Sequence, residues 1–210
     1  MPLPIVHLGV AKNLAPKLGV KNLPNYYLGA ISPDAIHMRK NHIREDKHNS
    51  HLHIRVPDIT KFITSNKTND SRDFYLGYGI HILTDIYWAE TIHDAFTARY
   101  NNDPNPIQDA TMAYYNDTDR LDFELYFNYE HRLEIWDILA NSTAMGIDGL
   151  VSADEVNAWK ERTLHWFDSG DSQHKNPIKY IGYSELLNFM TEAATHINEQ
   201  LQGANKLAAV

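Results

Sequence analysis

The sequence contains no cysteine among its 210 residues. This absence excludes disulfide bonds, thiol nucleophiles and thiolate metal ligands, so nitrogen and oxygen are the only strong ligand atoms of the chain. The sequence also lacks the run of roughly 18 apolar residues that a transmembrane helix needs, and its first residues lack the basic and apolar regions of a signal peptide. We therefore expect a cytoplasmic protein with no transmembrane segment.

Positive charge is also scarce: the sequence has 19 Lys and Arg against 27 Asp and Glu, a formal net charge of −8. Because proteins that bind nucleic acid by bulk attraction concentrate Lys and Arg to displace counterions, we expect no stable nucleic-acid binding of this kind. A composition with 43% hydrophobic and 22% charged residues excludes disorder for the bulk of the chain. The 12 histidines and the many carboxylates supply the ligand atoms that cysteine does not.

Alternation of apolar and polar residues over strand lengths is scarce, whereas apolar residues recur at helical spacing. An example runs through Leu121, Leu125, Leu133, Trp136 and Leu139. No internal repeat, low-complexity tract or flexible linker divides the chain. We therefore predict a single all-α domain, a multi-helix bundle over residues 1–202, followed by a frayed tail over residues 203–210.

Proline, glycine and capping residues predict where the helices begin and end. The predicted helices cover about residues 6–14, 57–62, 72–99, 119–139, 153–166 (opened by a capping box at 152–155) and 184–201. The segment 72–99 is the longest helix-compatible run without proline, so we expect it to lie at the centre of the fold. The polar segment 39–50 predicts a surface loop, and His37, His42 and His48 are expected to be solvated.

One pair of residues in the central segment has the spacing of a metal site. His81 and Asp85 lie four apart, which places both side chains on one helix face, and zinc accepts their imidazole and carboxylate ligands when no thiolate is present. The same spacing also occurs as a solvated surface pair. Large apolar neighbours from Gly77 to Trp88 would make burial of an unpaired His and Asp costly.

Gly77 and Gly79 indicate close approach of another backbone, for which helix packing is the simplest explanation.

The residues around this pair continue a pattern that begins near the amino end. It comprises His7, Gly29-Ala30-Ile31-Ser32-Pro33-Asp34, Ser50-His51-Leu52-His53, Gly77-Tyr78, His81 and Asp85. In this order the motifs resemble the zinc-dependent phospholipase C and single-strand-specific zinc nuclease superfamily, over roughly residues 5–90. The resemblance implies an all-α domain that binds zinc.

The resemblance also implies which residues hold metal. The implied ligands are His7, Asp34, His51, His81 and Asp85. Asp34, His51, His81 and Asp85 would form one metal site. Asp85 would also bridge to a neighbouring ion beside His7. We expect only one of His51 and His53 to bind metal. We favour His51, since Ser-His-Leu follows the family pattern better.

The pattern departs from that of secreted members of the superfamily at the second metal site. Those members use an amino-terminal tryptophan as a ligand, and they place a histidine about six residues after the bridging aspartate, where this chain has Glu90 and His93 nearby. Asp117, His165 and Asp168 are further candidates for metal or substrate binding, although the first is also typical of a helix cap and the other two of a solvated helix end. The resemblance implies an intracellular branch with one to three zinc ions, or other divalent metals in their place.

The chemistry that zinc supplies leads to a predicted activity. Zinc bound by imidazoles and carboxylates lowers the pKa of a bound water, and a second ion neutralises phosphoryl oxygens in phosphoester hydrolysis. Asp34 and Asp85 are the candidate catalytic residues, and the resemblance favours Asp34 as the proton acceptor. We predict a zinc-dependent hydrolase of a small phosphoester, of the phospholipase C or phosphodiesterase type. The alternatives are a helical interaction protein that has lost turnover and a histidine-aspartate phosphohydrolase built on His93 and Asp94.

Overall fold

The computed structural model describes residues 4–66 and 71–207, with side chains as far as Gly203. Within these ranges the chain is helical and contains no β-strand, which confirms the all-α prediction. The α-helices are α1 (Pro4–Leu14), α2 (Leu23–Gly29), α3 (Arg44–Ser50), α4 (Val56–Ser65), α5 (Arg72–Trp88), α6 (Asp94–Asn101), α7 (Ala110–Asn128), α8 (Arg132–Ala140), α9 (Ala153–His165) and α10 (Tyr183–Leu207). Short 3-10 helices cover Ser32–Met38 and Leu52–Ile54, and a π-helical turn covers Ala89–His93.

Several predicted boundaries agree with these helices. The capping box that opens α9 is confirmed: the Ser152 hydroxyl accepts the backbone N–H of Glu155, and the Glu155 carboxylate accepts that of Ser152. The predicted helix 72–99 corresponds to α5 and α6, which the π-helical turn joins without a break. Helix α10 continues to Leu207, so the predicted tail lies partly within it and partly, from residue 208, outside the described residues.

Three local predictions are wrong. The predicted loop 39–50 contains α3, whose first turn is held by the Asp46 carboxylate accepting the backbone N–H of Ile43. The predicted helix 119–139 is two helices, because the backbone is extended at Tyr129. Asp117, for which a helix cap was the alternative, lies inside α7, and the capping side chain is Asp109, which accepts the N–H of Met112.

Helix α5 lies at the centre of the fold and packs against α1, α2, α4 and α10. Its glycines permit these contacts. A Cβ atom at Gly77 would overlap the carbonyl oxygen of Tyr26 in α2, and one at Gly29 would overlap the carbonyl oxygen of Phe74. The close approach predicted from the glycines is therefore helix packing, and it brings the end of α2 beside the middle of α5.

A second junction fixes α9 against the 3-10 helix Ser32–Met38. Arg39 follows that 3-10 helix and donates through Nε to Glu155 Oε1 at 2.7 Å and through Nη2 to Glu155 Oε2 at 3.1 Å. The same Nη2 donates to the carbonyl oxygen of Leu150 at 2.9 Å, and Nη1 donates to Asp46 at 3.0 Å. One guanidinium thus ties α3, the loop before α9 and α9 itself to the segment that carries Asp34.

No helix in residues 4–66 or 71–207 is long and apolar enough to cross a membrane.

Candidate metal centre

Five of the predicted ligands meet in the interior. They are His7 from α1, Asp34 from the first 3-10 helix, His51 at the end of α3, and His81 and Asp85 from α5. All five are at most 7% exposed. Residues distant in sequence are brought together because α1, α2 and the 3-10 helix pack on α5, while the chain leaving α3 crosses its middle.

The facing atoms are spaced for a shared ion rather than for hydrogen bonds. His51 Nε2 lies 3.6 Å from Asp34 Oδ1 and 3.5 Å from Asp85 Oδ2. His81 Nε2 lies 3.6 Å from the same Asp85 oxygen and 3.9 Å from Asp34 Oδ2. Tetrahedral ligands that are each about 2.0–2.2 Å from zinc lie roughly 3.4 Å apart. These separations therefore match those of ligands around one zinc ion.

The backbone orients two of the imidazoles. His81 Nδ1 lies 2.8 Å from the carbonyl oxygen of Ala30, and His51 Nδ1 lies 3.1 Å from that of Lys47. A carbonyl oxygen only accepts, so Nδ1 of His81 carries the proton and donates it, and Nδ1 of His51, which also lies 2.9 Å from the Ser50 hydroxyl, does the same when it bonds to Lys47. Each Nε2 then has a free lone pair directed at the carboxylates, which is the arrangement of a metal-binding histidine with its outer partner.

The inner atoms of this cluster lack hydrogen-bond partners among the described residues. They are both ring nitrogens of His7, Nε2 of His51 and His81, Oδ1 of Asp34 and both carboxylate oxygens of Asp85. Leaving buried polar atoms unpaired costs free energy, and a buried carboxylate costs more than a neutral group. A divalent cation would satisfy these atoms together, so the donor set fits the zinc that the sequence implies.

The ionisation of the cluster also favours a cation. Burial lowers the pKa of His7 well below its ordinary value and lowers that of His81, so both imidazoles are neutral at neutral pH. Burial acts to raise the pKa of Asp34, but the facing imidazole of His51, together with the positive charge that His81, His51 and His7 carry when protonated, outweighs it, and the net shift is downward. Burial raises the pKa of Asp85. Neutral imidazoles and carboxylates are the protonation states that bind metal.

The cluster contains two overlapping groups of potential ligands. One consists of His7, Asp34 and His81, and the other of His51, His81 and Asp85, with the ligand atoms of each group within 4.8 Å of one another. Asp85 faces both directions, since its Oδ1 lies 3.6 Å from His7 Nε2 while its Oδ2 faces the other two imidazoles. The rings of His7 and His81 stack at 3.7 Å. This geometry supports Asp85 as a bridging ligand.

The alternatives His51 and His53 differ sharply in position. His51 is 1% exposed and faces the carboxylates, whereas His53 is exposed and lies outside the cluster. The chain turns away directly after His51, because Leu52, His53 and Ile54 have φ values of 48°, 53° and 55°. The left-handed region costs about 1–2 kcal/mol for each non-glycine residue. This strained turn separates the two histidines.

The remaining candidates do not reach the cluster. Glu90 and His93 are exposed on the π-helical turn. Asp117 is buried, but its carboxylate accepts the backbone N–H groups of residues 179–181, and these bonds satisfy it without a metal ion. His165 Nδ1 and Asp168 Oδ2 pair with each other at 2.8 Å on the exposed end of α9.

The sequence reasoning missed a cleft beside Asp34. A cavity of about 560 Å³ adjoins this carboxylate and is lined by Pro4, Asp34, His37, Met38, Lys47, Tyr115, Trp159, Arg162, Thr163 and Trp166. His37, expected to be solvated, is half-buried, and its Nε2 lies 3.7 Å from Asp34 Oδ1. Four of the lining residues, in α9 and directly after it, recur at helical spacing. This spacing is the only indication of the cleft in the sequence.

A helical bundle whose interior gathers imidazoles and carboxylates around one point defines a potential metal-binding protein. The sequence matches the family model described as zinc-dependent phospholipase C over residues 6–197, and the chain therefore belongs to this family. The match confirms the suspected superfamily and extends it from residues 5–90 to almost the whole chain. No curated protein and no solved structure matches the chain significantly.

Proposed function

We propose that the protein is a zinc-dependent hydrolase of phosphoester bonds, of the phospholipase C or phosphodiesterase type. The observation that carries the proposal is the buried cluster of five ligand residues whose inward atoms have no other partner among the described residues. Family membership supports zinc as the metal. The proposal treats residues 1–202 as one hydrolase domain, located in the cytoplasm and acting on a small substrate.

The proposed ligands divide into a main site and a neighbouring position. Asp34, His51, His81 and Asp85 hold the main ion, and His7 faces the outer oxygen of Asp85 where a second cation would bind. The number of ions, between one and three, is part of the proposal and is measurable by elemental analysis. Bound zinc lowers the pKa of water and neutralises negative charge on phosphoryl oxygens.

The two carboxylates have different proposed roles. Asp34 lies where the cluster meets the cavity, so its carboxylate orients the attacking water and accepts its proton. Its lowered pKa keeps it ionised at neutral pH. Asp85 lies deeper, between the imidazoles of His7 and His51, and its proposed role is to bind metal beside them. The substrate enters through the cavity, the opening next to Asp34.

The alternative of a binding protein without turnover has one observation in its favour. Neither Glu90 nor His93, the residues nearest to the family's second-site histidine, joins the cluster. Such a protein would contain zinc but would not cleave phosphoesters. The histidine-aspartate alternative gains no support, because His93 and Asp94 are both exposed and lie outside the cluster.

Metal content and hydrolysis measured on the same samples test the proposal. Wild-type protein should contain zinc and cleave a soluble phosphodiester such as bis(p-nitrophenyl) phosphate. His81→Ala and Asp85→Ala should lose both properties while far-UV circular dichroism still shows a helical fold. His93→Ala is the matched control, because it removes an exposed imidazole on the same helical segment and should change neither property.

Two outcomes would contradict the proposal. Unchanged zinc content in both His81→Ala and Asp85→Ala would show that the cluster does not bind the metal. Zinc without turnover on any phosphodiester would favour the binding protein instead.

A further inference from the structure

We propose that one face of α9, formed by Trp159, Arg162, Thr163 and Trp166, binds the anionic oxygen atoms of the substrate's phosphoryl group in the cleft beside Asp34. This inference rests on the proposed function, since it assigns the side of the cleft that receives the substrate. It adds residues that no metal-ligand pattern contains. We call these four residues the donor stripe.

The donor stripe follows from helical geometry. Its residues are spaced by three, one and three positions, which places them along one face of a helix. All four line the cavity that also contains Asp34. The Arg39 contacts with Glu155 hold this helix against the 3-10 helix Ser32–Met38. The stripe is therefore fixed at the mouth of the metal centre.

The stripe presents hydrogen-bond donors that nothing in the described residues uses. Trp159 is 6% exposed and Thr163 is 0% exposed, yet neither the indole Nε1 nor the hydroxyl has a partner. Nε1 of Trp166 is also buried and unpartnered. An indole N–H can only donate, and buried donors without acceptors are uncommon in folded proteins. A partner of the two indole groups must therefore supply acceptor atoms, and phosphoryl oxygens are acceptors of this kind.

Arg162 adds a positive charge held in position by aromatic rings. Its guanidinium carbon lies 4.7 Å from the ring centroid of Trp159 and 4.2 Å from that of Trp166. Stacking on two indoles reduces the freedom of a long side chain, so less entropy is lost when it binds a ligand. A guanidinium has a planar set of N–H donors that matches phosphate oxygens.

The charge of Asp34 acts on the Arg162 guanidinium, but no carboxylate among the described residues forms an ion pair with it. Arg39, Arg72 and Arg99 each pair with an acidic side chain, whereas Arg162 makes no hydrogen bond or ion pair with any residue in 4–66 or 71–203. It remains accessible to solvent from the cleft. Lys47 lines the same cavity and adds a second cation. In the cavity lining these two cations face one carboxylate, that of Asp34, so this place favours an anionic ligand even in a protein of net charge −8.

Tryptophan fluorescence provides a test that does not depend on turnover, because two of the four tryptophans belong to the stripe. The protein as purified is titrated with inorganic phosphate and with phenyl phosphate, and its zinc content is measured in every sample. Wild type should show a saturable change in fluorescence. Arg162→Gln should weaken the apparent affinity about tenfold or more, and Thr163→Val by a smaller factor, since a charged donor contributes more than a hydroxyl.

Arg132→Gln is the matched control. Arg132 also lies over aromatic rings, those of Tyr126 and Phe127, but it is outside the cavity lining. Its loss should leave phosphate binding unchanged. Arg162→Lys should restore only part of the affinity, because lysine keeps the charge without the planar donors.

The source of the phosphoryl group is tested in parallel. The binding of soluble phenyl phosphate is compared with the binding of phosphatidylcholine vesicles, which is measured by sedimentation. Arg162→Gln should bind more weakly than wild type to the ligand that wild type binds. With a hydrolysed phosphodiester, Arg162→Gln should raise KM about tenfold and change kcat by less than about threefold, because a group that binds equally in ground and transition state alters mainly KM.

The outcomes separate this inference from the proposed function. Phosphate binding by Arg162→Gln as tight as that of wild type, or no saturable response in wild type, would overturn the donor stripe even if zinc and turnover are present. Weakened phosphate binding by Arg162→Gln, with unchanged binding by Arg132→Gln, would support the donor stripe. Absence of zinc and turnover from wild type would contradict the proposed function without altering the reading of the fluorescence titration.

Discussion

Helices α5 and α9 contribute to the candidate site in opposite ways: α5 supplies two residues of the buried cluster, whereas α9 lines the cleft beside Asp34. Helix α5 is buried almost throughout and places His81 and Asp85 among apolar side chains. Helix α9 is a surface helix with one buried face, on which Trp159 and Thr163 lie, while the exposed Arg162 adjoins that face. The proposed metal ligands are thus fixed by the core, whereas the proposed substrate contacts are supplied by a helix attached to it.

The first prediction removes a ligand from the core side. Asp34→Asn keeps the shape of the side chain but replaces an anionic oxygen with a neutral one. We expect activity to fall by about 100-fold or more and zinc affinity to fall with it, because even partners outside the ligand sphere change metal affinity by 10–100-fold. Elemental analysis and phosphodiester turnover measure both effects.

Asp168→Asn is the control for this change, since Asp168 is an exposed acid that pairs only with His165. Full zinc content together with full activity in Asp34→Asn would remove Asp34 from the site.

The second prediction tests the contact that positions α5. Gly77→Ala should lower the free energy of unfolding by about 1–3 kcal/mol, because the added methyl group meets the backbone of α2, which cannot move aside as a side chain can. The loss is measurable by urea denaturation. Gly203→Ala is the control, since a Cβ atom there has no neighbour within 4 Å among the described residues. Equal stability of the two variants would mean that α2 and α5 do not pack this closely.

The third prediction separates α9 from the metal centre. Arg39→Gln breaks the contacts that hold α9 to the segment carrying Asp34, and it leaves Glu155 without its partner. We expect a rise in KM, an unchanged zinc content and a loss of about 1–2 kcal/mol in stability. A loss of zinc in this variant would show that the two sides of the cleft are not independent.

The fourth prediction concerns Asp122, a buried acid outside the cleft whose carboxylate has no hydrogen-bond partner among the described residues. Burial raises its pKa well above the ordinary value, and the nearby Asp119 adds to this. A raised pKa in the folded state contributes stability below the unfolded pKa of about 4, and this contribution is lost as pH rises through the folded pKa.

Asp122→Asn removes that dependence, so the variant should melt a few degrees above wild type at pH 8 and at about the same temperature near pH 4. The exposed Asp137→Asn provides the control. A lower melting temperature at pH 8 would indicate that Asp122 has a buried cationic partner.

The sequence allowed a better prediction for α5 than for α9, for physical reasons. His81 and Asp85 stood out because polar residues in an apolar helix need a partner, and the distant ligands followed from an ordered family pattern rather than from spacing. The donor stripe had no comparable signal. Tryptophan, arginine and threonine at helical spacing are equally typical of an ordinary amphipathic helix, and only the cavity distinguishes them.

Local errors had a similar origin. The polar segment that became α3 has no apolar periodicity, since its helix is short and held by Asp46 at one end. No proline or glycine near Tyr129 indicates that the helix ends there. In both places a pattern of apolar residues read along the chain contains no signal of the outcome.

The sharing of His81 between the two groups of potential ligands has a consequence for stoichiometry. Its Nδ1 is committed to the carbonyl of Ala30, so only Nε2 is free, and one lone pair serves one cation. Two ions therefore cannot both bind His81, and occupying one group of ligands weakens the other. Loading should proceed in unequal steps, with a tightly held first equivalent and a weaker later one that exchanges readily with the medium.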